Sequence, residues 1–230
     1  MHDWMWQWVG VWRSAARFNA RHRDGYAGKA VQALMLGIFG GVTCLAGYVV
    51  WRGDTHLPSY TVVLENDHTL GFEGGMRRGA TRALEEQLDA HPTVTVIRLA
   101  SPGGLGVEGI RMRNLIRRRG LTTYVDDVCA SACTTAYLGG ARRYLDEEAE
   151  LAFHRGRISW LPGSPETSGI EAVLMREQGI SQSFIDHVDS TPASTIWSPT
   201  VAELLQAGVV HEVGEPDAPG NREGADTHED

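Results

Sequence analysis

Short apolar runs alternate with amphipathic stretches along the middle of the chain, residues 59–213. The run YTVVLE (60–65) is rich in β-branched residues and predicts a strand, and the stretch GGMRRGATRALEEQLDA after it has helical periodicity. The run TVTVIRLA (93–100) is almost continuously apolar, which is typical of a parallel strand covered on both faces. After the break SPGG, a helix is predicted over residues 105–119.

The second half of this region continues the same alternation. LTTYVDD predicts a strand, CASAC opens a helix over 132–139, and RRYLD and AELAFHR predict short strands. Two helices (166–178 and 181–188), a helix within SPTVAELLQAG and a strand VVHEV complete the series. The alternation predicts an α/β fold with right-handed crossovers and a mainly parallel sheet. In such folds, sites form where strands end and helices begin, and SPGG and CASAC both lie at such places.

A separate apolar segment, AVQALMLGIFGGVTCLAGYVVW (30–51), precedes the alternating region and carries no charge. It is long enough to cross a bilayer core of about 30 Å as one helix. It begins later and is longer than the apolar part of a cleaved signal peptide, so we expect a retained single-pass anchor. The basic residues before it are Arg13, Arg17, Arg21, Arg23 and Lys29. Because only Arg52 follows it closely, the N-terminus is predicted to be cytoplasmic and the domain to lie outside the cytoplasm.

The two ends of the chain are predicted to lie outside the folded domain 59–213. Residues 1–29 form a cytoplasmic segment rich in tryptophan and arginine. Residues 214–230 are polar, acidic and rich in Gly and Pro, so they cannot bury enough apolar surface to fold and are predicted to be a disordered tail.

Charge and cysteine content narrow the classes of function. The chain has 230 residues and a net charge of -8, and its basic residues form no stripe, so nucleic acid is not expected as a partner. Its only lysine is Lys29. Cys44 lies in the apolar segment, which leaves Cys129 and Cys133 as the only pair able to form a disulfide. Their spacing leaves open whether they do.

CASAC and SPGG offer groups suited to acyl transfer. A serine at a strand-to-helix turn, here Ser131, can expose its hydroxyl while the helix N-terminus offers unpaired N–H groups to an anion. Such donors are needed because negative charge develops on the carbonyl oxygen in the transition state. Gly103 lets the backbone of the other loop approach a substrate closely. His154 ends the strand AELAFH, where it can serve as the base.

The sequence resembles the Clp protease proteolytic-subunit family within the ClpP/crotonase fold. Three segments carry the resemblance, in this order: LASPGGLGVEGIRMRNLI, VCASACTTAYLGGARRYLDEEAELAFH and SPTVAELLQAGVVHEV. The likeness is closest to the membrane-anchored, periplasm-facing bacterial members and covers most of residues 59–213. It implies stacked ββα units after one transmembrane helix, a periplasmic domain at the bacterial inner membrane, a peptide or protein substrate, and a homo-oligomer. We expect neither a cofactor nor a metal.

The resemblance also implies roles for four residues at matching positions. Ser131 would be the nucleophile and His154 the general base. The backbone N–H groups of Gly103 and Ala132 would form the oxyanion hole. A lysine base, which some membrane-bound relatives use, is excluded because Lys29 lies on the wrong side of the membrane.

The third member of the catalytic triad is not evident in the sequence. The aspartate of the family falls in the stretch TPASTIWSP, which contains no carboxylate. Ser194 or Thr195 occupies roughly that position, and Asp189 lies upstream, so all three stay open. A triad without a carboxylate to fix the tautomer can lose several powers of ten in rate, about 10⁴-fold in the best-known case.

The sequence therefore predicts a membrane-anchored serine peptidase or a related acyl hydrolase. The alternative is a catalytically inactive member of the fold, a binding or assembly module in which Ser131 serves close packing. Acyl-CoA chemistry on the same fold is disfavoured because coenzyme A is cytoplasmic and the domain is predicted to lie outside the cytoplasm. A zinc site of Cys129, Cys133 and His154 is disfavoured because no fourth ligand stands at a usual spacing.

Overall fold

A computed structural model of the protein describes residues 9, 11–17, 26–55, 57–156 and 169–216. The chain divides into two compact units, Met1–Gly53 and Asp54–Asp230. Most of the predicted segment 1–29 and of the predicted tail 214–230 lies outside the described residues. The disorder of that tail and the boundaries of the segment therefore stay predictions.

The N-terminal part of the chain is helical where it is described. Residues 11–17 form helix α1, and Tyr26–Thr55 form helix α2, which is 30 residues long. Within α2, the 18 residues Gly28–Leu45 have a mean hydropathy of 1.4, so this helix is long and apolar enough to cross a membrane. The predicted span, residues 30–51, lies within α2.

The second unit contains a six-stranded sheet and a separate pair of strands. The strands are β1 Tyr60–Asn66, β2 Thr69–Gly74, β3 Val96–Ala100, β4 Thr122–Val125, β5 Val128–Ala130, β6 Arg143–Leu145, β7 Glu150–Ala152 and β8 Glu212–Val213. The large sheet has the order β1-β2-β3-β4-β6-β8, in which β1 and β2 are antiparallel and every other neighbouring pair is parallel. The small sheet is the parallel pair β5-β7. The predicted mainly parallel α/β architecture is confirmed.

Helices follow most of the parallel strands. They are α3 Ala80–Ala90, α4 Gly106–Arg119, α5 Ala132–Tyr137, α6 Ile170–Glu177, α7 Gln182–Ser190 and α8 Val201–Gln206. Helix α8 begins with a capping box, in which Thr200 and Glu203 satisfy each other's backbone N–H groups. The helix predicted over 166–178 begins at Ile170 within the described residues, because Gly169 precedes it with a φ of 127°.

Two elements differ from the sequence prediction. The single strand expected from LTTYVDD ends at Val125, and a second strand, β5, begins at Val128 in the other sheet. Strand β2 was not predicted; it forms a hairpin with β1 through the turn at Asp67–His68. The switch between sheets matters most for the site, because β5 contains the first two residues of CASAC and ends directly before Ser131.

Helix α4 packs closely on α5 and fixes the helix that follows Ser131. A Cβ atom at Gly109 would lie only 2.4 Å from the carbonyl oxygen of Ala132, so the two backbones approach as closely as glycine allows. Leu115, Ile116 and Ala136 are buried in the core. The first turn of α5 is therefore held by packing on its inner side.

Candidate active site

Ser131 stands in a strained turn between β5 and α5. Its φ is 56° and its ψ is -120°, and it is the only non-glycine residue with a positive φ in the described part of the chain. Such a conformation costs about 1–3 kcal/mol and persists only when the surroundings hold it. Here the Ser131 N–H donates to Ala152 (2.9 Å), and the Ser131 carbonyl accepts from the N–H (3.0 Å) and hydroxyl (2.7 Å) of Thr134.

Parallel pairing of β5 with β7 brings Ser131 and His154 together. Ala130 is paired with Ala152, so both strands end at the same edge and the residues beyond them are neighbours. The Oγ atom of Ser131 lies 2.8 Å from Nε2 of His154. That distance is within the range of a nucleophile and its general base.

The second ring nitrogen of His154 is held by the main chain. Its Nδ1 lies 2.8 Å from the carbonyl oxygen of the next residue, Arg155. Because a carbonyl can only accept, this contact assigns the proton to Nδ1 and leaves Nε2 as the acceptor for the Ser131 hydroxyl. The tautomer required of a general base is therefore selected by a backbone oxygen.

The three residues left open as a third triad member take other positions. The hydroxyl of Thr195 donates to the carbonyl of Pro192 (3.0 Å), and Ser194 is exposed. The carbonyl of Asp189 accepts from Nε of Arg155. In a triad, a carboxylate would contact Nδ1 of His154. Here the carbonyl oxygen of Arg155 makes that contact, and the backbone of Asp189 holds the Arg155 side chain.

Gly103 and Ala132 border Ser131 from two sides. A Cβ atom at Gly103 (φ 92°) would lie 2.5 Å from the carbonyl oxygen of Ala130, 2.9 Å from Cβ of Ser131 and 3.1 Å from the Ala132 nitrogen. As the first residue of α5, Ala132 has an N–H without an intrahelical acceptor.

The Gly103 N–H is engaged within its own loop. It donates to the hydroxyl of Ser101 at 3.1 Å. That bond is at the long end of the normal range, and a charged oxygen accepts more strongly than a hydroxyl does. An oxyanion next to Ser131 can therefore compete for the Gly103 N–H.

A disulfide spans the Ser131 turn. Cys129, the middle residue of β5, is bonded to Cys133 in α5, with 5.3 Å between their Cα atoms, and both residues are fully buried. The question that the sequence left open is answered by this pairing. It also leaves neither sulfur as a thiolate for the zinc site that the sequence analysis disfavoured. Among the described residues, no group of three or more His, Cys, Asp or Glu side chains could hold a metal ion.

Removing this disulfide is expected to loosen the turn. In the double variant Cys129→Ala/Cys133→Ala, the free energy of unfolding should fall by about 2 kcal/mol, the chain-entropy value for so short a loop. Urea denaturation of the full chain in detergent measures it. Cys44→Ala is the control, because Cys44 is an exposed free cysteine. A double variant as stable as the control would contradict the prediction.

Glu171 is a carboxylate near the site that the sequence did not point to. A Cβ atom at Gly156 would lie 2.5 Å from Oε2 of Glu171, so the carboxyl group rests on the Gly156 backbone. Burial raises the pKa of this carboxyl, a hydrogen bond from the Gly156 N–H lowers it, and the negative charge of Asp189 adds to the rise. At the sequence level Glu171 is only an acidic residue in the first turn of a helix, a common position for helix stability.

Known structures share this architecture. ClpP1 from Listeria monocytogenes aligns with a TM-score of 0.52 at 18% identity, over 66% of this chain and 93% of that one. A mutant of ClpP1 from Listeria monocytogenes aligns with a TM-score of 0.50 at 20% identity, over 65% and 92%. The 1510-N membrane-bound stomatin-specific protease, as a mutant, gives 0.48 at 13% identity, over 63% and 77%.

The two ClpP1 structures define the class of fold. The chain has the ClpP/crotonase fold, and the resemblance seen in its sequence is confirmed at that level. No protein-family model and no curated protein matches the sequence.

Proposed function

We propose that this protein is a membrane-anchored serine hydrolase that cleaves peptide bonds, with Ser131 as nucleophile and His154 as general base. One observation carries the proposal: Ser131 Oγ lies 2.8 Å from Nε2 of His154. The φ of 56° at Ser131 supports it. A packing serine needs neither the strained backbone nor the imidazole. Strain of this kind clusters at active sites.

In the first half of the reaction, Oγ of Ser131 attacks the carbonyl carbon of the substrate and Nε2 of His154 takes the hydroxyl proton. Negative charge moves to the carbonyl oxygen, where the N–H groups of Gly103 and Ala132 can donate to it. When the tetrahedral intermediate collapses, the C–N bond breaks and the imidazolium gives its proton to the leaving amine. The acyl group remains on Ser131.

The second half repeats these steps with water. Neutral His154 takes a proton from a water molecule, which attacks the acyl carbon. The C–O bond to Ser131 breaks, and the proton returns from Nε2 to Oγ, which releases a carboxylic acid. The atoms and charges of both half-reactions balance without a redox partner or a cofactor.

We further propose that α2 anchors the protein in a bacterial inner membrane with the catalytic domain on the periplasmic side. The apolar stretch of α2 and the cluster of basic residues before it support this orientation. The Cys129–Cys133 disulfide supports it independently, because disulfides persist in oxidising compartments such as the periplasm. The proposal includes a homo-oligomer, to which the resemblance to the fold family points.

Covalent labelling tests the catalytic proposal. The full chain in detergent is treated with a fluorophosphonate, which reacts with activated serines, and the adduct is located by peptide mass spectrometry. We expect one adduct, on Ser131, and none in the heat-denatured protein. Folded protein without an adduct would overturn the hydrolase and favour the inactive binding or assembly module.

A further inference from the structure

The peptide group between Arg155 and Gly156 uses both of its polar atoms at the site. Its carbonyl oxygen accepts from Nδ1 of His154 at 2.8 Å. Its N–H donates to the carboxylate of Glu171, whose Oε2 lies only 2.5 Å from the place a Cβ atom on Gly156 would take. A single planar amide therefore stands between the imidazole and a negative charge.

The fit between Gly156 and Glu171 depends on the absence of a side chain. Gly156 is buried, and a Cβ atom there would lie within 2.7 Å of all three atoms of the Glu171 carboxyl group. A contact so close cannot accommodate any other residue without moving the carboxylate. The glycine thus allows the carboxylate to reach the amide.

Arg155, the residue that carries this carbonyl, is itself held by two further hydrogen bonds. The Arg155 N–H donates to the carbonyl of Thr191 at 2.8 Å, and Nε of Arg155 donates to the carbonyl of Asp189. The charged groups of the described residues that line the same small cavity as Glu171 are those of Arg155 and Asp189. The Arg155 guanidinium is only a donor, so it cannot accept from the Gly156 N–H.

We propose that Glu171 is a positioning residue that supplies the carboxylate of the site and acts on His154 through the Arg155–Gly156 peptide group. A carboxylate at the N–H end of an amide polarises it and makes its oxygen a stronger acceptor, because hydrogen bonds in a chain reinforce one another. The negative charge also favours the imidazolium that forms during attack. This inference rests on the proposed function of Ser131 and His154.

The kinetic test uses Glu171→Gln, which keeps an acceptor for the Gly156 N–H but removes the charge. With the fluorophosphonate at pH 8, we expect the maximal inactivation rate to fall about tenfold, with little change in the half-saturating concentration of the probe. The loss is far below the roughly 10⁴-fold effect of losing a direct carboxylate, because the Arg155 carbonyl still selects the tautomer. Glu148→Gln, the same change at an exposed site, should react like the wild type.

A second measurement reports on the hydrogen-bond chain without catalysis. In ¹⁵N-histidine-labelled full-length protein, the Nδ1–H proton of His154, assigned by its loss in His154→Gln, should move upfield in Glu171→Gln but not in Glu148→Gln. An unchanged resonance together with an unchanged inactivation rate would overturn the role of Glu171. If the wild type is not labelled but the resonance moves, the hydrolase proposal fails and the hydrogen-bond chain stands.

Discussion

Replacing His154 with glutamine is expected to lower the rate of fluorophosphonate labelling by about 10³-fold or more, because general-base catalysis by a positioned imidazole supplies rate factors of this order. A serine hydroxyl is a weak nucleophile until a base removes its proton, and Nε2 of His154 is 2.8 Å away. Glutamine can hold a hydrogen bond with Ser131 but cannot take the proton. The Ser131 turn itself is held by main-chain bonds to Ala152 and Thr134, so it should survive the change.

The comparison needs a variant that loses a histidine elsewhere. His68→Gln is a suitable control. His68 lies in the β1–β2 hairpin turn, and its ring makes one contact of similar kind, 3.1 Å from the Thr93 carbonyl oxygen. Both variants should show the circular dichroism spectrum and melting temperature of the wild type to within a few degrees. Labelling of His154→Gln at the rate of the control would exclude His154 as the base. The unit Asp54–Asp230 contains no lysine that could replace it, because the only lysine of the sequence is Lys29.

Much of the arrangement of this candidate site could be expected from the sequence, because its signals are local. Ser131 and Gly103 each follow a strand and precede a helix, and such junctions are visible as an apolar run followed by small residues. The predicted strand AELAFH pointed to His154, and the observed strand β7 ends two residues before it, at Ala152. The sequence could not show that β5 and β7 pair in a sheet of their own, because pairing between distant strands depends on the whole fold.

The polar groups that contact Nδ1 of His154, directly or through a peptide group, could not be predicted from the sequence for a different reason. The acceptor for Nδ1 is the carbonyl of Arg155, and every residue has a carbonyl, so no side-chain pattern marks it. Glu171 lies on α6, far along the chain from the position where the family's aspartate was sought. Strand β2 was missed because TLGFEG contains two glycines, which are more often a sign of a loop than of a strand.

Replacing Gly103 with alanine is expected to cost both activity and stability. The new Cβ would lie 2.5 Å from the Ala130 carbonyl oxygen and 2.9 Å from Cβ of Ser131, so the SPGG loop must move away from the Ser131 turn. Losing one oxyanion donor costs about 10²–10³-fold in rate, and the labelling rate should fall by that amount. Steric overlap and a left-handed backbone should together remove about 2–5 kcal/mol of unfolding free energy.

Two further glycines separate the causes of this loss. Gly120 has a φ of 65° with nothing within 4 Å of its added Cβ, so Gly120→Ala carries the conformational cost alone. Gly106 has neither a positive φ nor a neighbour within 4 Å, so Gly106→Ala should be neutral or stabilising. Urea denaturation and labelling rates, measured on all three variants, should show a large rate loss only in Gly103→Ala. If Gly103→Ala labels like Gly120→Ala, the SPGG loop does not supply the oxyanion donor, and stabilisation of the anion falls to the first N–H groups of α5.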